Sequence, residues 1–442
     1  MNVEQLKRAV GDGSIDTVLL VFADMQGRLQ GKRLVGKHFV EEVLEHDAEA
    51  CNYLLAVDVD MNTVAGYTMA SWSTGYGDFV MKPHLETLRP VPWHEKTAMC
   101  MADLLWHDES PVVASPRQIL RGQLDRLAER GWSALAATEL EFIVFRDTYE
   151  EAFDKGYKDL VPGNQYNVDY SILGTSRLEP LLGRIRREMA AADLEVENSK
   201  GECNFGQHEI NFTYEGALGA ADTHVIYKNG AKEIASQEGM AITFMAKYNE
   251  REGNSCHVHL SLRGADDAPV FADQPELFDR FLAGQLACMR DLTLFLAPNI
   301  NSYKRFAEGS FAPTAVAWGR DNRTCSMRVI GHGPSLRMES RVAGGDVNPY
   351  LAIAAMIASG LHGVDNELEL EPALEGNAYT SDKPHVPSTL QQARDLFGAS
   401  DVVREAFGED VVAHYLNNAD VELRAFEAAV TDWERARGFE RL

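Results

Sequence analysis

The sequence predicts an α+β fold in two parts, and three observations carry the prediction. Residues 1–106 run from a short helix into apolar strands. Ser115-Pro116 then reads as a helix start, with proline at the first helical position. Beyond it, strands and helices mix to the C-terminus, and several strands carry charged residues on one face.

The elements follow in order. Val3–Val10 has helical periodicity. TVLLVFADMQG is an apolar strand, and GRLQGKRL after it has turn glycines and basic residues. Cys51–Asp60, CNYLLAVDVD, reads as a further strand ending in acids. These elements define a small unit, 1–106, and leave 107–442 as the larger one. The helix SPRQILRGQLDRLAERG opens the larger unit, with Ser115 as its cap and Gly131 as its stop. DVNPYLAIAAMIASGLHG is a nearly apolar helix and therefore a buried one. VELRAFEAAVTDWERARGFE closes the chain with helical periodicity.

Composition narrows the function classes. The chain has 442 residues, 45% hydrophobic and 25% charged, as ordinary globular proteins do. With 42 Lys and Arg against 67 Asp and Glu, the net charge is −25. That balance argues against binding a nucleic-acid backbone and favours small cations, such as metals or polyamines. A solvated acidic face is the plainer explanation of the same number. The six cysteines, Cys51, Cys100, Cys203, Cys256, Cys288 and Cys325, form no C-x-x-C pair and suggest no zinc site. The N-terminus lacks an apolar signal region, and the apolar stretch near Leu351–Leu361 is too short to span a bilayer. A cytoplasmic protein with reduced thiols is expected.

The chemistry lies in strands whose polar residues sit where core is expected. In TELEFIVF, Glu139 and Glu141 share one face, while Leu140, Phe142 and Val144 share the other. Two neighbouring carboxylates on an apolar strand are costly unless a cation lies between them. The alternative is an edge strand with both glutamates in solvent. CHVHLSL repeats the pattern with His257 and His259. RMESR does so again with Arg337, Glu339 and Arg341. In KGECNFGQHEINF, the odd spacing of Glu202 and Glu209 puts them on opposite faces of a continuous strand. A turn or bulge at Asn204–Gly206 would bring them together. Five carboxylates and one imidazole (Glu139, Glu141, Glu202, Glu209, Glu339 and His257) suit two Mg²⁺ or Mn²⁺ ions. Lys304, Arg305, Arg323, Arg328, Arg337 and Arg341 cluster late in this acidic chain. Arginines fork onto phosphates and carboxylates, although surface ion pairs explain such clusters too. No P-loop or G-x-G-x-x-G is present, so any ATP site is built another way.

At this point the chain resembles the glutamine synthetase family, and within it the glutamate–amine ligases. TELEFIVF, GECNFGQHE, GNSCHVHLSL, NSYKRF–FAPTAVAWGRDNRTCSMR and RMESRVAGGDVNPYLA are similar to family segments and stand in the family's order. The resemblance implies a β-grasp-like N-terminal domain and a catalytic domain with a curved antiparallel sheet. It implies that Glu141, Glu202 and Glu209 hold one metal, and Glu139, His257 and Glu339 the other. Glu197, Tyr214, His259, Ser261, Arg328 and Arg337 would lie near ATP. Gly253, Arg305 and Arg341 would bind glutamate, and Arg323 would contact the phosphate in transfer. Asp58 or Asp60 would stand at the amine site. The implied assembly is a homo-oligomer of stacked rings, a dodecamer, with each active site between neighbouring subunits.

One departure shifts the expected amine. Ammonia-using members carry a glutamate six residues after the arginine of NSYKR, and this chain has Phe311. A phenyl ring accepts no proton from ammonium but packs against an amine that bears carbon. The expectation is therefore ATP-dependent joining of the glutamate γ-carboxylate to a polyamine or ethanolamine through a γ-glutamyl phosphate. Glu308 in the same loop keeps ammonia open. A non-enzymatic relative on the same fold and a metal-dependent hydrolase are the other readings.

Overall fold

Asn2 and Gln5 start the first helix, Val3–Gly11, by exchanging side-chain and backbone hydrogen bonds in a capping box. The computed structural model describes residues 1–442. Strands β1 (Thr17–Ala23) and β2 (Leu29–Val35) form an antiparallel hairpin. Gly31 lies where an added Cβ would meet the Leu20 carbonyl at 2.1 Å, so this approach of the two strands requires glycine. Strands β3 (Ala48–Cys51), β4 (Asp78–Pro83), β5 (Arg89–Pro90) and β6 (Thr97–Leu105) complete a six-stranded sheet. Its order is β2-β1-β6-β4-β3, with β5 beside β6. Only β1 and β6 run parallel.

The expected strand Cys51–Asp60 does not form. Cys51 ends β3, and Asn52–Leu55 turns as a 3₁₀ helix. Asp58 then accepts from the Asn62 backbone at 2.8 Å and its amide at 3.1 Å, and Met61 takes φ +66°. A local aspartate turn has won over strand pairing here.

Ser115 occupies the N-cap position of the helix Pro116–Ala128, but its side chain makes no cap bond and is buried instead. Gly131, with φ +72°, follows the end of the helix. Arg117 in this helix is buried and pairs with Asp103 of β6 and with Asp222 at 2.9 Å. The core runs without a break from Leu6 through the sheets to Leu423.

A nine-stranded sheet builds the remainder. Its strands are β7 (Ser133–Phe145), β8 (Val196–Gly201), β9 (Gln207–Phe212), β10 (Glu215–Gly216), β11 (Ala241–Thr243), β12 (Cys256–Arg263), β13 (Trp318–Arg320), β14 (Met327–Ile330) and β15 (Arg337–Ser340). The order is β13-β14-β15-β12-β7-β9-β8, with β10 and β11 also on β7. All pairs are antiparallel except β13 with β14. On one face of β7 and β12, Leu140, Phe142, Val144, Val258 and Leu260 are buried. That burial leaves the opposite face for polar side chains. The helix Pro349–Asp365 is buried over most of its length, as its composition predicts, and Asn348 caps it by accepting from Tyr350 N.

The C-terminal periodicity splits into two helices. Glu409–Ala428 stops, and Asp432–Gly438 begins with its own capping box at Thr431 and Glu434. No helix is long and apolar enough to cross a membrane. All six cysteines are unpaired.

Candidate active site

The pleat puts Glu139 and Glu141 on one face of β7, and strand register then gives each different neighbours. Glu139 lies across from His257 on β12, and Glu141 across from Glu209 on β9. His259 lies across from Glu339 on β15. Gly206, with φ +75°, turns the chain between β8 and β9, and Glu202 N bonds Gln207 O at 2.9 Å. The turn brings Glu202 beside Glu209 despite their odd spacing.

Two clusters result. Ligand atoms of Glu139, His257 and Glu339 lie within 4.8 Å of one another, as do those of Glu141, Glu202 and Glu209. Both sets are rich in carboxylate oxygen and contain no thiolate, which fits hard divalent cations. Glu141 is fixed through one oxygen, which accepts from Ser255 N at 2.7 Å and Gln207 Nε2 at 2.9 Å. Glu209 accepts from Asn211 at 2.8 Å. A lysine ammonium already stands among these oxygens: Lys200 pairs with Glu202 and lies 3.6 Å from Glu209.

Charge is balanced differently in the two clusters. Glu339, fully buried, pairs with Arg341 and with Arg328 at 2.9 Å. Burial by itself would raise the Glu339 carboxyl, but His257 and Arg341 outweigh burial and hold it low. Glu139 is likewise raised by burial and pulled well below the usual carboxylate range by His257 and His259. Burial and Arg341 push the His257 imidazole down. Its Nδ1 lies 3.1 Å from a Glu139 oxygen, and its Nε2 is buried with no partner in the protein. In the other cluster, burial pushes Glu209 up to about 8, with Glu139 and Glu141 adding to the effect and Lys200 opposing it.

Two cavities meet at these clusters. The first, ≈ 640 Å³, is lined by Glu139, Glu141, Glu202, Glu209, His257, Gly253, Arg323, Arg328, Arg341 and Phe311 among others. The second, ≈ 620 Å³, is lined by Glu197, Tyr214, His259, Ser261 and Arg337 among others. Glu139, Asn198 and Asn211 line both. Arg337 donates to His259 Nδ1 at 3.3 Å. Phe311 is 57% exposed in the first cavity's wall and takes φ +54°.

Three expected residues lie elsewhere. Arg328 lines the first cavity instead of joining the other residues expected near ATP in the second, because Glu339 and Asp321 hold it there. Arg305 lines neither cavity. It is buried behind Gly253, where a Cβ would lie 2.7 Å from its side chain, and it donates to Ser255 Oγ and to the carbonyls of Val342 and Ala343. Asp58 is tied into its own turn with Asn62 and lines neither cavity. Glu308 is exposed and outside both walls. Sequence reading assigned no role to Lys200, Gln207, Asn198 or Asn211. GQ before Glu209 was the available signal for Gln207, whose amide also donates to Gly253 O at 2.9 Å.

Residues 113–437 match the family described as glutamine synthetase, catalytic domain. A gamma-glutamylethanolamide synthetase of Streptomyces coelicolor is 62% identical, over 100% of this chain and 96% of the relative. A glutamate–isopropylamine ligase of a Pseudomonas species is 36% identical, over 96% of this chain and 95% of the relative. The solved structure of ligand-free GmaS shares the fold, with a TM-score of 0.86 at 24% identity, over 98% of this chain and 99% of that one. The nine strands are thus the curved sheet of a known fold, and the chain belongs to the glutamine synthetase family.

Proposed function

We propose that this protein uses ATP to join the γ-carboxylate of glutamate to an organic amine, with ethanolamine the first candidate and a polyamine the second. The observation that carries the reading is the pair of cavities meeting at two carboxylate clusters, with Arg323 and Arg341 in one wall and Phe311 at its edge. The 62% identical gamma-glutamylethanolamide synthetase supports ethanolamine in particular. The exposed position of Glu308, away from the cavity, speaks against ammonia.

In this reading the second cavity takes ATP, through Glu197, Tyr214, His259, Ser261 and Arg337. Its phosphates pass the boundary at Glu139, Asn198 and Asn211 into the first cavity. Gly253 and Arg341 bind glutamate there, and Arg323 meets the phosphoryl group. The two carboxylate clusters would hold Mg²⁺ or Mn²⁺, which would supply positive charge to the phosphoryl group in transfer. The γ-carboxylate attacks the terminal phosphorus of ATP and ADP leaves, giving a γ-glutamyl phosphate. The unprotonated amine then attacks the γ-carbon, and phosphate leaves. Arg305 acts indirectly, holding Ser255 and the chain beyond Arg341 in place. Asp58 contributes from a neighbouring subunit of a stacked-ring dodecamer, where it takes the proton that the amine loses.

The test is ADP release with glutamate and a panel of ethanolamine, putrescine, spermidine, isopropylamine and ammonium, with mass detection of the product. Ethanolamine should give the fastest turnover and a γ-glutamylethanolamide. Turnover with ammonium that matched every organic amine would reject the reading.

A further inference from the structure

Lys200, on β8, is the single cation paired with the Glu141–Glu202–Glu209 cluster. Its side chain is 21% exposed, and the Glu209 side chain it approaches is 3% exposed. The ammonium also lies 5.0 Å from the Tyr170 ring centroid. Glu141 and Glu209 are themselves buried. Three carboxylates held this close need a counter-charge, since buried like charges without one are strongly disfavoured. The other cluster has its charge balanced by arginines that are themselves anchored: Arg328 also bonds Asp321, and Arg341 is buried. Lys200 differs in kind. A lysine is a compact charge on a four-carbon stem, free to swing, and it faces open cavity on the Tyr170 side. A divalent ion would need the same carboxylate oxygens and carries twice the charge. The two cations cannot both hold those oxygens.

We infer that Lys200 is a tethered counter-ion that occupies the Glu141–Glu202–Glu209 cage until a divalent ion displaces it, so that Lys200 sets the metal concentration at which this half of the site fills. The inference rests on the reading that this cage takes a metal. It concerns a positioning residue: Lys200 acts through the carboxylates and not on the substrates.

The experiment is Mn²⁺ binding to the full chain without nucleotide, followed by electron paramagnetic resonance. The step belonging to this cage is the one missing from Glu202→Gln. In Lys200→Met this step should move to about ten-fold lower Mn²⁺ or further, because a competing unit charge has left. Lys200→Arg keeps the charge and should bind no more tightly than the natural protein. Thermal unfolding in chelator should fall for Lys200→Met and recover when Mn²⁺ is added. A merely structural lysine would weaken metal binding on removal, and unchanged or weaker binding in Lys200→Met overturns the inference. Should that variant not fold, acetylation of lysines in the natural protein decides the matter by mass spectrometry. Mg²⁺ should raise labelling at Lys200, and constant labelling at saturating Mg²⁺ overturns the inference. If the natural protein binds no Mn²⁺ at all, the cage reading falls with it; equal binding to both proteins overturns only the role of Lys200.

Discussion

The two carboxylate clusters stand on adjacent pairs of the same sheet yet solve the problem of buried charge in opposite ways. Glu139 and Glu339 sit among two imidazoles and two arginines, and they are held low as stable anions. Glu141, Glu202 and Glu209 have one lysine between them, and Glu209 is pushed up to about 8. The first cluster is complete as folded chain. The second is balanced loosely, and a cation that arrives from solution has more to gain there. One cluster is thereby tied into the fold by its own ion pairs, while the other has a single mobile-stemmed cation among its carboxylates.

Activity offers the largest test. Glu139→Ala and Glu141→Ala should each lower kcat by about 10³-fold, since each removes a charge that holds the site's cations. Equal loss in steady-state assays supports one coupled site. Loss confined to Glu139→Ala would mean that only the arginine-balanced cluster serves the reaction.

Stability should then separate the clusters. Glu339→Ala leaves Arg328, Arg341 and His257 without their buried partner and should cost about 3–5 kcal/mol in denaturant unfolding of the metal-free chain. Glu202→Ala leaves Lys200 with Glu209 and should cost about 1 kcal/mol or less. A comparable loss in both variants would erase the difference between the two clusters.

Acid unfolding supplies the baseline against which any pH effect of the clusters is read. His414 is buried against Tyr67 and Met25, far along the chain from either cluster, and burial pushes it down to about 4. The unfolded chain takes up this proton near pH 6.5, before the folded one does. The contribution is therefore complete above pH 6.5 and is lost as pH falls toward 4, by about 3 kcal/mol in all. His414→Phe should flatten that stretch of the unfolding free energy measured against pH. A profile identical to that of the natural protein would assign the acid loss to other groups.

The smallest effect concerns the amine. Phe311→Glu should shift the ratio of kcat/KM for ammonium over ethanolamine by about ten-fold toward ammonium, because a carboxylate favours the small cation that a phenyl ring does not. An unchanged ratio would remove Phe311 from amine selection.

Much of this site was legible before the structure. Strand alternation is local geometry, so the shared faces of Glu139 with Glu141 and of His257 with His259 follow from spacing alone. The family segments supplied the remaining residues and their order. Arg305 shows what spacing does not reveal: it is buried behind Gly253, gives its terminal nitrogens to Ser255 and to backbone carbonyls, and keeps its Nε unpartnered. The expected strand Cys51–Asp60 fails for another reason, because side-chain bonds from Asp58 to a residue four positions on decide a turn against a strand.

What the sequence by itself determined is therefore the set of chemical groups and their facing along each strand, since a pleat of two residues needs no knowledge of the rest of the chain. Tertiary structure alone decided the register. It set Glu141 opposite Glu209 and Glu139 opposite His257, brought together in space the two sets that the family resemblance had implied, and placed Lys200 inside one of them. Register depends on which strands meet and where they start, and those are contacts between residues far apart in the chain.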